Sequence, residues 1–191
     1  MVHQHFMLIE PLTVAENIIL GYEKDKGIFL DKKKAYAEVL KLSKDYGLMI
    51  DPQARVEDIS VGMQQRVEIL KSLYHGADIL IFDEPTAVLT PQEILEFIDI
   101  VKKLTELDKS VIIITHKLDE IKAMADTCTI IRRGKFIDKV DVDKVSRKEL
   151  AEKMVGRDVS FSVNKKEIET GGVILNIEDL WVKDKRGVDI L

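Results

Sequence analysis

The chain has 191 residues, enough for one full domain, or one domain and part of another, with a sizeable buried core. It is 46% hydrophobic and 33% charged, the balance of a soluble globular protein, and its net charge of -5 is spread over a mixed-sign sequence with no basic block. A nucleic-acid partner is therefore not expected.

The single cysteine, Cys128, excludes an internal disulfide and fits a reducing cytosol. It sits in strand-like sequence, where a buried structural thiol is expected. No apolar run reaches the roughly 18 residues that a membrane-spanning helix needs. Residues 1–11 also lack the charged-then-apolar order of a signal peptide. If the protein works at a membrane, other chains are expected to cross it.

In chain order, Thr13-Val14-Ala15-Glu16 places a hydroxyl three residues before a carboxylate, the capping-box pattern, and predicts a short helix after Thr13. Asp31 precedes residues 32–46, where Tyr36, Val39, Leu40 and Leu42 form one apolar stripe and Gly47 is a stop signal. Ser60-Val61-Gly62 opens a helix over 62–74, and Ile79-Leu80-Ile81-Phe82 reads as a buried strand with Asp83 and Glu84 at its C-terminal end. Thr90-Pro91-Gln92-Glu93 combines a capping hydroxyl, a proline at the first helical position and a glutamate three residues on. Ile94, Phe97, Ile98, Val101 and Leu104 then continue the helical period.

Residues 111–114 predict a second buried strand ending at Thr115-His116, and residues 117–126 a helix. Strand, helix, strand in this order implies parallel pairing. Residues 129–132, the Arg133-Gly134 turn and residues 136–140 read as a hairpin, and Ser146 caps one more helix through Glu149. The polar residues 160–172 predict a linker, and residues 173–178 the first strand of a further domain that residue 191 cuts short.

The chemistry gathers at Asp83-Glu84. An apolar strand that delivers two adjacent carboxylates to its tip can hold Mg²⁺ with one and orient or deprotonate an attacking water with the other. Two solvated acids at a strand end are the ordinary alternative. About twenty residues upstream, Ser60-Val61-Gly62 at a helix start offers a hydroxyl and unpaired amides at the positive end of a helix dipole, suited to a terminal phosphate as well as to plain capping. His116, after the second strand, is placed to contact a phosphate or simply to end that strand. His3 and His5 flank Gln4, but an i, i+2 pair without a third ligand is an incidental arrangement.

Ile59-Ser60-Val61-Gly62-Met63-Gln64-Gln65-Arg66 resembles the signature motif of ABC ATPases, Asp83-Glu84-Pro85-Thr86 resembles their Walker B end, and His116 resembles their switch histidine. The likeness extends from Gln4, which resembles the Q-loop glutamine, to Asp126. It implies an α/β fold: a partial P-loop NTPase with a largely parallel sheet core and a helical subdomain at about residues 12–75, its N-terminal strands missing. It also implies ATP and Mg²⁺ as cofactors. In that reading Glu84 and His116 are catalytic, and Gln4, Ser60, Val61, Gly62, Gln64 and Asp83 bind nucleotide, with Asp83 and Gln4 toward Mg²⁺.

There are departures. Val61 stands for the first signature glycine and Met63 for a glutamine, and Thr90 takes the place of the D-loop aspartate. Together with Met154-Val155-Gly156-Arg157, these departures resemble the first half of the double-ATPase subunits that power import of simple sugars and nucleosides. Residues 1–159 would then be the C-terminal part of a first ATPase domain, 160–172 a linker, and 173–191 the start of a second. The implied partners are that second ATPase domain, two permease subunits and, indirectly, an extracytoplasmic solute-binding protein, at the cytoplasmic face of the cell membrane.

No Gly-x-x-x-x-Gly-Lys-Ser/Thr occurs in the chain. In the family that phosphate cradle precedes Gln4, so the chain alone is expected to be inactive. Two other readings remain open: a soluble ABC ATPase acting on ribosomes or DNA, and a non-catalytic remnant.

Overall fold

Local capping starts most of the helices. The computed structural model describes residues 1–4, 6–22, 31–158, 171–183 and 189. Thr13 opens α1 (Val14–Ile19): its hydroxyl accepts from the Glu16 amide at 3.3 Å while Glu16 Oε2 accepts from the Thr13 amide at 2.8 Å. Asp31 caps α2 (Lys32–Asp45) through the Lys34 amide, and the chain leaves that helix at Gly47 with φ 66°, a conformation that favours glycine. Ser60 caps α3 (Val61–Tyr74), which begins one residue earlier than the sequence pattern predicts.

The strand β1 (Ile79–Asp83) is followed by α4 (Pro91–Glu106), whose capping box uses Thr90 and Glu93. Next come β2 (Ser110–Ile114) and α5 (Leu118–Met124), which lies inside the predicted 117–126. Strands β3 (Thr127–Arg132) and β4 (Lys135–Asp141) pair antiparallel around Arg133 at φ 50° and Gly134 at φ 72°, the two left-handed positions of a tight hairpin turn. The last helix, α6 (Arg147–Val155), has a Ser146–Glu149 capping box and ends at the left-handed Gly156.

Strands β1 and β2 run parallel, with Ile79 opposite Ser110 and Asp83 opposite Ile114. On the other side of β1, Val2 makes a parallel bridge to Phe82: its amide donates to the Ile81 carbonyl at 2.7 Å and its carbonyl accepts from Asp83 at 3.0 Å. Three backbone segments therefore arrive side by side with their C-terminal ends together.

One apolar core holds the helices and this sheet, joining Val14, Ile18 and Val39 to Leu70, Leu80, Phe82, Phe97 and Leu104. Phe82 and Phe97 meet edge to face at 5.3 Å, which locks α4 against β1. A second core under α5 and α6 collects Ile121, Ile130, Val142 and Leu150.

By backbone contacts the chain divides into Met1–Val159 and Ser160–Leu191. In the second unit the strand expected at 173–178 does not form. Val173, Ile174, Leu175 and Ile177 are exposed, and one isolated bridge, Lys183 to Asp189, is the pairing among the described residues of this unit. Apolar content alone does not make a strand; its N–H and C=O groups need a neighbouring ladder. Of the expected linker, residues 160–170 lie outside the described residues, and Gly171 and Gly172 carry no regular structure.

Candidate functional site

Parallel pairing decides where the acids emerge. Because Asp83 sits opposite Ile114, Glu84 and Thr115-His116 leave adjacent strands at the same end, and the Glu84 amide donates to the Ile114 carbonyl at 2.9 Å. There His116 Nδ1 and Glu84 Oε1 lie 2.8 Å apart; His116 is 69% exposed and Glu84 27%. A carboxylate bonded to an imidazole, with one side open to solvent, can accept a proton from water and hold the imidazole's orientation. Glu84 has φ 47°, left-handed for a residue with a side chain.

Asp83 is half-buried at the tip of β1, and Gln4 is exposed two residues beyond Val2, at the same end of the sheet. A carboxylate and an amide oxygen are hard donors, and Mg²⁺ binds through one or two such protein oxygens while keeping waters and phosphate oxygens. The donor set therefore fits that ion. Among the described residues no group of three or more His, Cys, Asp or Glu side chains is arranged to hold a metal by itself, and His5 lies outside them.

The second cluster lies at the start of α3. Ser60 Oγ accepts from the Met63 amide at 3.3 Å. The Gly62 amide and the Ser60 hydroxyl both donate to Glu93 Oε1, at 3.2 and 3.4 Å, while Glu93 Oε2 accepts from the Thr90 amide and hydroxyl at 3.0 Å each. These contacts hold the Glu93 carboxyl below its ordinary value, the Thr90 amide most strongly. A phosphate arriving at Ser60 and Gly62 would take over donors that Glu93 now uses. Gln64 turns back to the carbonyls of Val56 and Ile59, at 3.3 and 3.5 Å, and Val61 is exposed.

The predicted residues thus form two groups. Asp83, Glu84 and His116, with Gln4, gather at the strand ends, and Ser60, Val61, Gly62 and Gln64 gather at the helix start. Among the described residues no hydrogen bond or ion pair joins a side chain of one group to a side chain of the other.

What couples the groups was not foreseen from sequence. Buried Gln65 donates from Nε2 to the Pro85 carbonyl at 2.9 Å, tying α3 to the turn after Glu84. Glu68 Oε1 accepts from the Met7 amide at 2.8 Å, and Lys71 Nζ donates to the Met7 carbonyl at 3.1 Å, so the stretch after Gln4 is pinned to the same helix. Cys128 is half-buried, and burial pushes its thiol up, away from reactivity.

A parallel sheet presents acids and a histidine at its strand ends and is joined to a helical part through a serine-capped helix, in keeping with the ATP-binding-cassette fold that the sequence resemblance implies. The model of the ABC transporter family matches residues 1–87.

The chain is 60% identical over 187 residues to the nucleoside import ATP-binding protein NupA of Lactococcus lactis subsp. cremoris, covering 98% of this chain and 37% of that one. It is 56% identical over 189 residues to the guanosine import ATP-binding protein NupO of Bacillus subtilis, covering 99% and 37%. With the galactose/methyl galactoside import ATP-binding protein MglA of Fusobacterium nucleatum the identity is 37% over 180 residues, covering 94% and 36%. The chain therefore spans little more than a third of the length of these relatives.

Among solved structures, cbiO1 from Clostridium perfringens, part of the ABC transporter complex cbiONQ, superimposes with a TM-score of 0.61 at 25% identity, over 78% of this chain and 57% of that one. The ATP-binding cassette MJ1267 of an ABC transporter gives 0.65 at 19% identity, over 81% and 66%, a likeness of fold. No helix among the described residues is long and apolar enough to cross a membrane.

Proposed function

We propose that this chain is part of an ATP-hydrolysing subunit that powers import of a nucleoside through an ABC transporter. The observation that carries the ATPase reading is the 2.8 Å contact between Glu84 and His116 at the ends of adjacent parallel strands. In this reading Glu84 accepts the proton of the attacking water, and His116 holds the Glu84 carboxylate while facing the terminal phosphate. Asp83 and Gln4 hold Mg²⁺, which when bound supplies charge neutralisation for the phosphates. Ser60, Val61, Gly62 and Gln64 form the surface that closes on the terminal phosphate of ATP held by the opposite ATPase domain.

Residues 1–159 are then the C-terminal part of a first ATPase domain with its helical subdomain at about 12–75. Residues 160–172 are a linker, and 173–191 begin a second ATPase domain. The assembled subunit sits at the cytoplasmic face of the membrane on two permease subunits and receives solute indirectly from a binding protein. Nucleoside is favoured over sugar because identity is 60% and 56% to the relatives named for nucleoside and guanosine import, against 41% to the one named for glucose import.

In the full-length ATPase, Glu84→Gln is expected to slow hydrolysis by roughly 10²- to 10⁴-fold, the range of a general base, with fluorescent ATP still bound. Unchanged turnover removes Glu84 from the chemistry. Uptake of labelled nucleoside, competed by unlabelled nucleoside and not by ribose or galactose, checks the solute. Competition by the sugars alone assigns it to them.

A further inference from the structure

Two arms carry the pair at the strand ends: the turn Glu84-Pro85-Thr86 after β1, and Thr115-His116-Lys117 after β2. A 2.8 Å bond between Glu84 and His116 survives only if both arms are fixed, and the left-handed backbone at Glu84 is not a conformation that a glutamate adopts by preference. Behind the pair stands Glu120, a buried acid on α5. Its two oxygens divide between the arms: Oε1 accepts the hydroxyl of buried Thr86, and Oε2 accepts the hydroxyl of Thr115 at 3.2 Å.

Lys117 completes the crosspiece. Its Nζ donates to the Thr86 carbonyl at 2.9 Å and to Thr86 Oγ1 at 3.0 Å, and lies 3.3 Å from Glu120 Oε1. Its own amide donates to Thr115 Oγ1 at 3.0 Å.

We propose that Glu120, charge-balanced by Lys117, is a positioning residue for hydrolysis: one carboxylate that clasps the Glu84 arm and the His116 arm and sets the distance between the two side chains. A buried carboxylate without donors would be strongly disfavoured, and here the donors come from two hydroxyls and an ammonium. Thr86 is two residues after Glu84 and Thr115 one before His116, so relaxing either bond moves one member of the pair relative to the other. Losing the carboxylate leaves two hydroxyls and the Lys117 ammonium without their shared acceptor, and the arms can part. The inference rests on the reading that Glu84 and His116 act on the nucleotide.

The test uses the full-length ATPase with Glu120→Gln, Glu120→Ala, Glu84→Gln and the double variant Glu84→Gln/Glu120→Ala. Glu120→Ala is expected to lower kcat by roughly 10- to 100-fold, as sub-ångström to ångström misplacement does, with the KM for ATP within about twofold of the parent. Glu120→Gln keeps the shape and one acceptor and is expected to recover part of that loss. A residue that acts through Glu84 has nothing left to position once Glu84 is Gln, so the double variant should be no more than about threefold slower than Glu84→Gln alone.

If Glu120→Ala lowers the melting temperature so far that it cannot be assayed, Thr115→Val, which removes the hydroxyl that bonds Glu120 and accepts from the Lys117 amide with little change in volume, carries the same comparison. Full turnover in Glu120→Ala or Thr115→Val overturns the inference, as does a double variant that shows the full product of the two single losses. If Glu84→Gln itself leaves turnover unchanged, the functional reading has failed; if Glu84→Gln is slow and Glu120→Ala is not, the inference alone has failed.

Discussion

Gly62→Ala tests how tightly α3 and α4 are joined. A Cβ at position 62 would lie 2.5 Å from Glu93 Oε1, 2.9 Å from Cδ and 3.1 Å from Cγ. The obstacle is the far end of a flexible side chain, so Glu93 is expected to swing away while the backbone stays. That loses the bonds from the Gly62 amide at 3.2 Å and the Ser60 hydroxyl at 3.4 Å. Bonds to a charged acceptor contribute about 1.5 to 3 kcal/mol when shielded, and partial solvent access at this rim reduces the pair to about 1 to 2 kcal/mol in total. Replacing glycine by alanine favours a helix by up to ~1 kcal/mol in its interior and about half that in the first turn.

The lost bonds win, and Gly62→Ala is expected to destabilise by about 0.5 to 1.5 kcal/mol, a melting shift of roughly 1 to 5 °C at this size. Urea unfolding of the single variants and of Gly62→Ala/Glu93→Ala reads the coupling. With Glu93 already truncated, the three nearest atoms to the added methyl are gone and it is expected to stabilise by about 0.5 kcal/mol, so the coupling is about 1 to 2 kcal/mol. An equal cost of Gly62→Ala in both backgrounds would refute the contact as the cause.

Acid should weaken α1. The Lys32 ammonium, 2.8 Å from Glu16, and the Thr13 amide hold the Glu16 carboxyl down to about 2 from 4.5, so this contribution is present above pH 4.5 and is lost as the pH falls through about 2. The difference in urea midpoint between parent and Glu16→Gln is expected to shrink from pH 7 to pH 3. Burial lowers the His75 pKa below 6.5; its ring stacks on Tyr22 at 4.0 Å, and its Nε2 is buried without a hydrogen bond. The unfolded chain takes up that proton first, so stability should fall as the pH drops below 6.5, and His75→Phe should flatten that slope in a melting series. Calorimetric titration of this chain with Mg-ATP is expected to show millimolar affinity at best. Three or four missing charge-assisted bonds to phosphate remove at least ~5 kcal/mol, roughly a thousandfold or more, and micromolar binding would contradict that estimate.

Features written in local sequence were readable in advance. The capping boxes at Thr13, Thr90 and Ser146 form as their spacing predicts, because each donor and acceptor lies within one helical turn. The Arg133-Gly134 turn and the order strand, helix, strand likewise fixed the hairpin and the parallel pair. Val2 escaped notice because its strand is a single bridge, too short for an alternating pattern to register.

The long-range bonds of Glu93, Gln65 and Glu120 escaped for a different reason. Their partners are 31, 20 and 34 residues away, and only the assembled sheet brings them together. The error at residues 173–178 has the opposite origin, since an apolar stretch was credited with a strand although pairing depends on a neighbour that local sequence does not supply. The choice of Asp83, Glu84 and His116 as a group drew on family likeness as much as on residue chemistry.

The backbone at Glu84 carries one further consequence. Held at φ 47°, the position would suit glycine or asparagine better, and a left-handed conformation at an ordinary residue costs on the order of 1 kcal/mol. A screen that rewards thermal robustness alone would therefore drift toward Glu84→Gly and discard the carboxylate without any warning from the melting curve. Under the role proposed for Glu84, durability and turnover pull this single residue in opposite directions. Any effort to harden the protein should leave position 84 fixed and look for its gains elsewhere.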